Sequence, residues 1–190
     1  AKDWRLSDDG KVCTIFLRKG LKWSDGNPFT ADDILFWYEE IYQNKALVAT
    51  SIPELQVGGK PVRISKRDDF TVVFESPEPY FLLVDVLAGD TLIGGGQATG
   101  SARANFMGGY APAHYLKQFL PKYSSEDEVT RKAKAAGFDS WVSYIRNRTN
   151  WALNNELPTL GPWKTVSPIN TPTWGMERNP YYWAVDTAGN

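Results

Sequence analysis

The sequence predicts an α+β protein made of small mixed sheets and helices. Short runs of β-branched and aromatic residues are interleaved, in irregular order, with segments of helical periodicity, which is typical of this class. Hydrophobic residues make up 42% of the 190 residues, which is enough for a packed core. Gly and Pro, at 16 and 12 residues, predict prominent loops.

The first 42 residues predict a strand, a turn and a helix. Val12–Leu17 is rich in β-branched and aromatic residues and follows the turn signal Asp8-Asp9-Gly10, so it is a predicted strand. The turn dipeptides of Trp23–Pro28 then interrupt the chain. Thr30 followed by Asp33 is a capping-box pattern, and the apolar spacing behind it predicts a helix with one buried face.

A hairpin and a short helix are predicted next. Pro61–Ser65 and Phe70–Ser76 flank a charged turn at residues 66–69, which is a hairpin pattern. Tyr80–Ala88 is a predicted short helix, and the glycine-rich residues 89–109 predict a long irregular loop.

Residues 112–190 predict three helices and a pair of strands. Pro112 suits the first position of a helix that carries His114. A capping box at residues 125–128 predicts a helix with Val129, Ala133 and Ala136 inward, closed by Gly137. A further periodic helix runs from Phe138 to Ile145, and two strands are predicted at Trp163–Val166 and Thr173–Arg178.

Composition excludes several classes of protein. A net charge of −1 argues against a basic nucleic-acid binder. One cysteine excludes an internal disulfide and any multi-cysteine metal site, and one histidine argues against a histidine-rich metal site and the usual nucleophilic triads. No apolar run approaches the roughly 18 residues of a membrane-spanning helix. We expect no metal and no cofactor.

The positions of the acidic pairs and of the single histidine indicate structural roles rather than catalytic ones. The acidic pairs Asp8/Asp9, Asp32/Asp33 and Asp68/Asp69 lie where turns and caps need short acceptors, so catalysis is disfavoured. His114 is expected to be a partly buried, hydrogen-bonded side chain. The unusual feature is a set of eight tryptophans: Trp4, Trp23, Trp37, Trp141, Trp151, Trp163, Trp174 and Trp183. Aromatic faces beside loops suit stacking on a sugar or packing around a peptide side chain, although packing is the commoner role.

Residues Phe16–Ile41, reading FLRKGLKWSDGNPFTADDILFWYEEI, resemble the family 5 extracellular solute-binding proteins, the oligopeptide- and dipeptide-binding class of ABC importers. Four further segments resemble the same family in the same order: Asp68–Ser76, Ala111–Leu116, Gly161–Lys164 and Arg178–Trp183. Together these segments cover nearly the whole chain.

The resemblance implies part of the first lobe of a two-lobed periplasmic-binding-protein-like fold. It implies an extra α/β subdomain at residues 1–160, strands at residues 161–190 that return toward the main lobe-I sheet, and a second lobe that is absent. The start Ala1-Lys2-Asp3-Trp4 and the uncapped end are read as those of a piece of a longer protein, with a mature protein lacking its signal peptide as the alternative.

The implied function is the non-enzymatic capture of peptides, or another small solute, and their delivery to an ABC permease. The implied location is the periplasm or the cell exterior, where many members are lipid-anchored. Oligosaccharide binding within the same family stays open, as do a carbohydrate hydrolase with paired carboxylates and a carbohydrate-binding module with coplanar tryptophans. Candidate ligand-binding residues, taken from loop chemistry and not from family positions, are Phe106, Tyr110, Trp151, Trp163 and Trp174.

Overall fold

The structure is a computed structural model that describes residues 1–89, 91–94, 107–184 and 187. The chain forms two compact units: unit 1 comprises Ala1–Gly20 and Phe29–Ala111, and unit 2 comprises Leu21–Pro28 and Pro112–Asn190. The predicted division between residues 160 and 161 separates two parts of the first lobe, the extra subdomain and the strands that return toward the main sheet, and it stays a prediction.

Unit 1 is built on a four-stranded antiparallel sheet. Its strands are β1 (Asp3–Leu6), β2 (Val12–Phe16), β5 (Arg63–Asp68) and β6 (Thr71–Glu75), in the order β1-β2-β6-β5. Two further strands, β3 (Gln56–Val57) and β4 (Lys60–Pro61), form a separate small hairpin.

The predicted hairpin is confirmed, but its turn lies later in the chain. β5 continues through an irregularity between Lys66 and Asp68, so the turn falls at residues 69 and 70. The Asp68 carboxylate accepts hydrogen bonds from Phe70 N at 2.8 Å and from Thr71 Oγ1 at 2.9 Å. Asp68, the last residue of β5, therefore stabilises the turn that follows it, which is the structural role predicted for this acid.

The predicted helix starts as its sequence indicates. Helix α1 spans Ala31–Phe36, and Thr30 and Asp33 form the reciprocal capping box. The chain then widens into a π-helical turn, Trp37–Tyr42, which 3.6-residue periodicity does not predict. Its buried rings account for the wide turn, because Tyr42 stacks on Trp37 with centroids 5.6 Å apart and Tyr38 Oη donates to the Val62 carbonyl at 3.1 Å.

Helix α2 is shorter than predicted. It spans Leu83–Ala88, after a turn in which Leu83 N donates to the Tyr80 carbonyl. A short 3-10 turn lies at Pro53–Leu55, and Met107–Gly109 forms a tight turn in which Gly108 has a φ of +58°. Most of the predicted glycine-rich loop, residue 90 and residues 95–106, lies outside the described residues.

The described residues of unit 2 form three helices: α3 (Ala113–Leu116), which continues into a 3-10 turn at Lys117–Phe119, α4 (Glu126–Ala135) and α5 (Trp141–Arg148). Helix α5 begins at Trp141 and not at Phe138, because Ser140 is its N-cap. Three further details differ from the predictions. Pro112 is the N-cap of α3 rather than its first helical residue. Glu128 pairs with Lys132 at 2.8 Å, so only the Ser125 half of the predicted capping box forms.

The third difference is that Ala136 is exposed, not inward, because α4 ends one residue earlier and Gly137 reverses the chain at a φ of +83°. Unit 2 also contains the antiparallel pair β7 (Trp163–Ser167) and β8 (Gly175–Arg178), which confirms the predicted strands. Among the described helices, none combines the length and apolar character needed to cross a membrane.

Candidate functional site

Unit 2 joins the turn at residues 21–28 to helix α3 through a buried aromatic ring and an acid–imidazole pair. Trp23 is fully buried, and its ring lies 6.2 Å from that of His114. Asp25 Oδ2 lies 2.7 Å from His114 Nε2, and the same carboxylate accepts from the backbone and side-chain nitrogens of Asn27. Residues 89 positions apart in sequence are thereby held together.

The carboxyl group of Asp25 is tuned by opposing effects. Partial burial raises its pKa, but the hydrogen bonds from His114 and Asn27 and the charge of His114 lower it by more, so the pKa of Asp25 lies below its ordinary value. An ionised acceptor strengthens the bond to the imidazole N–H. The Asp25–His114 pair therefore holds the turn at residues 21–28 against helix α3, which is a structural role.

A second cross-link ties the same turn to residues 159–162. Ser24 N donates to the Thr159 carbonyl at 2.9 Å, and Thr159 N donates to Ser24 Oγ at 3.1 Å. Asn179 is 1% exposed, and its amide nitrogen donates to the carbonyls of Thr159 at 3.2 Å and Gly161 at 3.0 Å. Its amide oxygen accepts from Tyr181 N at 2.9 Å.

The turn also fits beneath an aromatic ring. Gly26 adopts a φ of +89°, and a Cβ at this position would lie 3.2 Å from Tyr181 Oη. Lys22 Nζ lies 5.3 Å from the centroid of the same ring. The four segments of unit 2 that carry the family resemblance therefore meet in one hydrogen-bonded network, and the contacts observed for their residues hold the fold together.

Motif residues of unit 1 have similar roles. Ala31 N donates to the Asp69 carbonyl at 2.8 Å, and Lys66 Nζ contacts Asp32 at 2.7 Å and Asp69 at 3.3 Å. Asp32 and Asp69 are two carboxylates from different segments. Both are more than half exposed and share a lysine, which makes them a surface ion network and a poor acid–base pair.

The structure places the five candidate ligand residues in different environments. Phe106 lies outside the described residues. Tyr110 is half-buried in unit 1, where its ring packs edge-on against Phe29 at 5.5 Å. Trp151 and Trp174 come together in unit 2 with centroids 5.5 Å apart, while Trp163 is 54% exposed at the start of β7.

Trp151 and Trp174 are the one pair of the five that the described residues bring into contact. Trp151 is half-buried and Trp174 is exposed, and their planes are inclined by 47°. A flat carbohydrate-binding platform needs coplanar rings, and these two rings are not coplanar. The pair instead presents one exposed ring, that of Trp174, packed against the ring of Trp151.

Sequence reasoning missed the central role of Asn179. Its signal was the Asn-Pro dipeptide after a predicted strand, which marks a turn but does not reveal which carbonyls the side chain reaches. Among the described residues, no group of three or more His, Cys, Asp or Glu side chains is arranged to hold a metal ion.

The family model for bacterial extracellular solute-binding proteins, family 5 Middle, matches residues 1–189. The chain belongs to this family. Its fold, mixed helices and small sheets, is that of OppA-type periplasmic binding proteins. An oligopeptide-binding protein OppA of known structure superposes with a TM-score of 0.81 at 38% identity, covering 100% of this chain and 27% of that one.

Relatives of this chain include binders of two kinds of solute. The periplasmic alpha-galactoside-binding protein of Rhizobium meliloti strain 1021 is 31% identical over 190 residues, which is 100% of this chain and 23% of that protein. The periplasmic binding protein MelB of Agrobacterium fabrum C58, solved in complex with stachyose, superposes with a TM-score of 0.68 at 28% identity. The match covers 100% of this chain and 24% of the MelB chain. OppA of Escherichia coli K12 is 36% identical over 96 residues, covering 43% of this chain and 18% of OppA. The chain spans about a quarter of the length of the relatives that it matches from end to end.

Proposed function

We propose that this chain is part of the substrate-binding component of an ABC importer, which captures peptides or another small solute outside the cytoplasmic membrane and delivers them to a permease. The family match over residues 1–189 supports this proposal most strongly. Relatives named as periplasmic oligopeptide-binding and alpha-galactoside-binding proteins support capture in the periplasm or outside the cell, with lipid anchoring to the membrane as part of the proposal.

The proposed mechanism is closure of two lobes on the solute. The second lobe and the remainder of the first belong to the part of a family 5 protein that lies outside this chain, and residues 161–190 return toward the main lobe-I sheet. Solute that contacts both lobes shifts the equilibrium toward the closed form, and no covalent chemistry is required. The structural roles of the Asp25–His114 pair and of Asn179 support a binding role over an enzymatic one.

Within this chain, we place the solute contact at Trp174, braced by Trp151. The exposed ring supplies an apolar face for a sugar ring or a peptide side chain, and the packed partner limits the entropy lost on binding. Phe106, Tyr110 and Trp163 stay separate, weaker candidates for contact with the solute. Oligosaccharide is the second candidate solute, favoured by these rings and by the two galactoside- and stachyose-binding relatives.

A ligand screen on the full-length polypeptide that contains these residues tests the proposal. Thermal shift with short peptides and with raffinose and stachyose is expected to identify one class, and calorimetry then gives its affinity. Trp174→Ala is expected to weaken binding by about 30-fold, the effect of losing a central aromatic contact. Trp4→Ala, which removes an exposed tryptophan from β1, serves as the matched control and is expected to bind normally.

Two results would count against different parts of the proposal. If neither class of solute raises the melting temperature, the proposed solutes are wrong. If a solute binds but Trp174→Ala retains full affinity, the importer function stands and the contact at Trp174 is refuted.

A further inference from the structure

A compact turn of unit 2, residues 150–156, carries Trp151 and ends in polar side chains. Leu153 N and Asn154 N both donate to the Asn150 carbonyl, at 3.1 and 2.9 Å. We call this segment the aromatic turn. Because these hydrogen bonds fix its backbone, the apolar and polar ends of the aromatic turn are held at a set separation.

The end of β7 and the loop after it lie along the aromatic turn. Asn155 Nδ2 donates to the Val166 carbonyl at 3.4 Å, and Ile169 N donates to the Ala152 carbonyl at 2.9 Å. At the far end of this loop, the exposed ring of Trp174 packs on the ring of the aromatic turn. The Cα atoms of residues 151 and 156 are at most about 18 Å apart, the fully extended length of five residues. One solute of a few rings can therefore reach both the exposed tryptophan and the polar end of the turn.

Glu156, at the polar end, is exposed to solvent and yet held in place. Its side chain is 66% exposed, but Oε2 lies 3.0 Å from Arg148 Nη1 and accepts from Tyr115 Oη at 3.4 Å. Its backbone is fixed as well, since Glu156 N donates to Asn154 Oδ1 at 3.2 Å. The other carboxylate oxygen, Oε1, accepts no hydrogen bond from a described residue. Glu156 Oε1 is therefore an exposed acceptor that is positioned before a ligand arrives, which lowers the entropy cost of binding.

The charge of this acceptor is balanced by its neighbour. The Arg148 guanidinium pairs with the carboxylate and also lies over the Tyr144 ring, 5.5 Å from its centroid. A cationic group, such as the ammonium of a peptide, would meet repulsion from the guanidinium as well as attraction to the carboxylate. A neutral hydroxyl meets no such repulsion and can donate to Glu156 Oε1. Asn155 Oδ1 accepts no hydrogen bond from a described residue, so it is a second, neutral acceptor in the same turn.

We propose that Glu156 and Asn155 form a polar subsite for the hydroxyl groups of an oligosaccharide whose apolar ring face stacks on Trp174. A sugar combines hydroxyl donors at its rim with an apolar face, which matches two acceptors beside an exposed aromatic ring. Arg148 and Tyr115 hold the carboxylate in place. This inference rests on the proposed function and narrows its solute to one class.

Calorimetry on the full-length polypeptide with stachyose, raffinose and trialanine tests the subsite. We expect stachyose or raffinose to bind and trialanine not to bind. Glu156→Gln keeps the size of the side chain and removes its charge. This variant is expected to weaken binding of the sugar by at least about tenfold, the effect of losing one hydrogen bond to a charged group.

A second glutamate of unit 2 provides the matched control. Glu177 is also exposed and ion-paired, since its side chain is 54% exposed and its Oε1 lies 2.6 Å from Lys164 Nζ. Glu177→Gln is expected to bind the sugar with unchanged affinity. The Tm of both variants is measured without solute. If Glu156→Gln has the lower Tm, Asn155→Ala decides the question, because it leaves the Arg148–Glu156 pair in place and is expected to weaken binding by about fivefold.

Each contrary result overturns a defined part of the assignment. Binding of trialanine without either sugar would overturn the subsite and leave the importer function in place. Equal affinities of Glu156→Gln and Glu177→Gln for the sugar, or an unchanged affinity of Asn155→Ala, would also overturn the subsite, while capture of oligosaccharide would stand. If none of the three probes binds, the subsite and the solutes of the proposed function are both wrong.

Discussion

Replacing Asn179 with alanine tests the cross-link at the centre of unit 2. The side chain is buried and makes three hydrogen bonds, two donated to carbonyls and one accepted from Tyr181 N. After substitution, the Thr159 carbonyl still accepts from Ser24 N, but the Gly161 carbonyl and Tyr181 N lose the partner that Asn179 provided. The loss is therefore concentrated on two backbone groups.

The expected cost follows from the number of bonds. Each intramolecular hydrogen bond contributes about 1 kcal/mol net, so Asn179→Ala is expected to lower the free energy of unfolding by about 3 kcal/mol. For a chain of this size, that loss corresponds to a decrease in Tm of about 6–12 °C. Asn170→Ala, at an exposed turn residue of the same unit, is the control and is expected to change Tm little.

The variant Asn179→Asp separates the donor role of the amide from its size. An ionised carboxylate would face the Thr159 and Gly161 carbonyls with no proton to donate, so we expect a larger loss at neutral pH than in Asn179→Ala. Burial beside two carbonyls raises the pKa of the introduced carboxyl in the folded state. The stability of this variant is therefore expected to recover as the pH falls, since protonation restores a donor.

Urea unfolding followed by tryptophan fluorescence, in a series from pH 7 to about pH 4, measures all three variants. A loss below about 1 kcal/mol for Asn179→Ala would refute the reasoning, because three bonds at a buried site would then contribute no more than one. A parallel pH dependence of Asn179→Asp and Asn179→Ala would refute the donor role.

Two further predictions concern the turn at residues 21–28. The folded-state pKa of Asp25 is lowered, so its contribution to stability is present at pH 7 and is lost as the pH falls through that pKa. Asp25→Asn is expected to be less stable than the wild type at pH 7 in urea titrations. The difference in free energy of unfolding is expected to shrink below about pH 4. A difference that does not change with pH would contradict a stabilising role for the charge of the Asp25 carboxylate beside His114. Gly26→Ala is expected to cost more than Gly20→Ala, because both glycines have positive φ but only Gly26 faces a ring, that of Tyr181. Equal changes in Tm for the two glycine variants would show that contact with this ring has no energetic weight.

Local signals predicted much of the secondary structure. The Thr30–Asp33 box, the β5–β6 hairpin and the β7–β8 pair each depend on residues close in sequence, and all three are confirmed. The errors lie where packing overrides local preference. The π-helical turn after Phe36 follows from stacking of buried rings, and the exposure of Ala136 follows from the early end of α4.

The network of unit 2 could not be predicted from one sequence. Asp25 and His114 are 89 residues apart, and Ser24 and Thr159 are 135 residues apart. No periodicity or spacing rule connects such positions. The expectation that His114 is a hydrogen-bonded side chain is confirmed, but its partner comes only from the tertiary structure. The same holds for Trp151 and Trp174, which the sequence placed beside turns without pairing them.

The most direct test of solute capture between two lobes is calorimetry with one solute and two proteins, the full-length polypeptide and the 190-residue chain. The solute is whichever peptide or oligosaccharide the ligand screen identifies. We predict a Kd below about 1 μM for the full-length polypeptide and weak or undetectable binding by the 190-residue chain, because in the proposed mechanism the solute also contacts an opposite lobe outside this chain. Submicromolar binding by the 190-residue chain would contradict the account, since the site would then be complete within it.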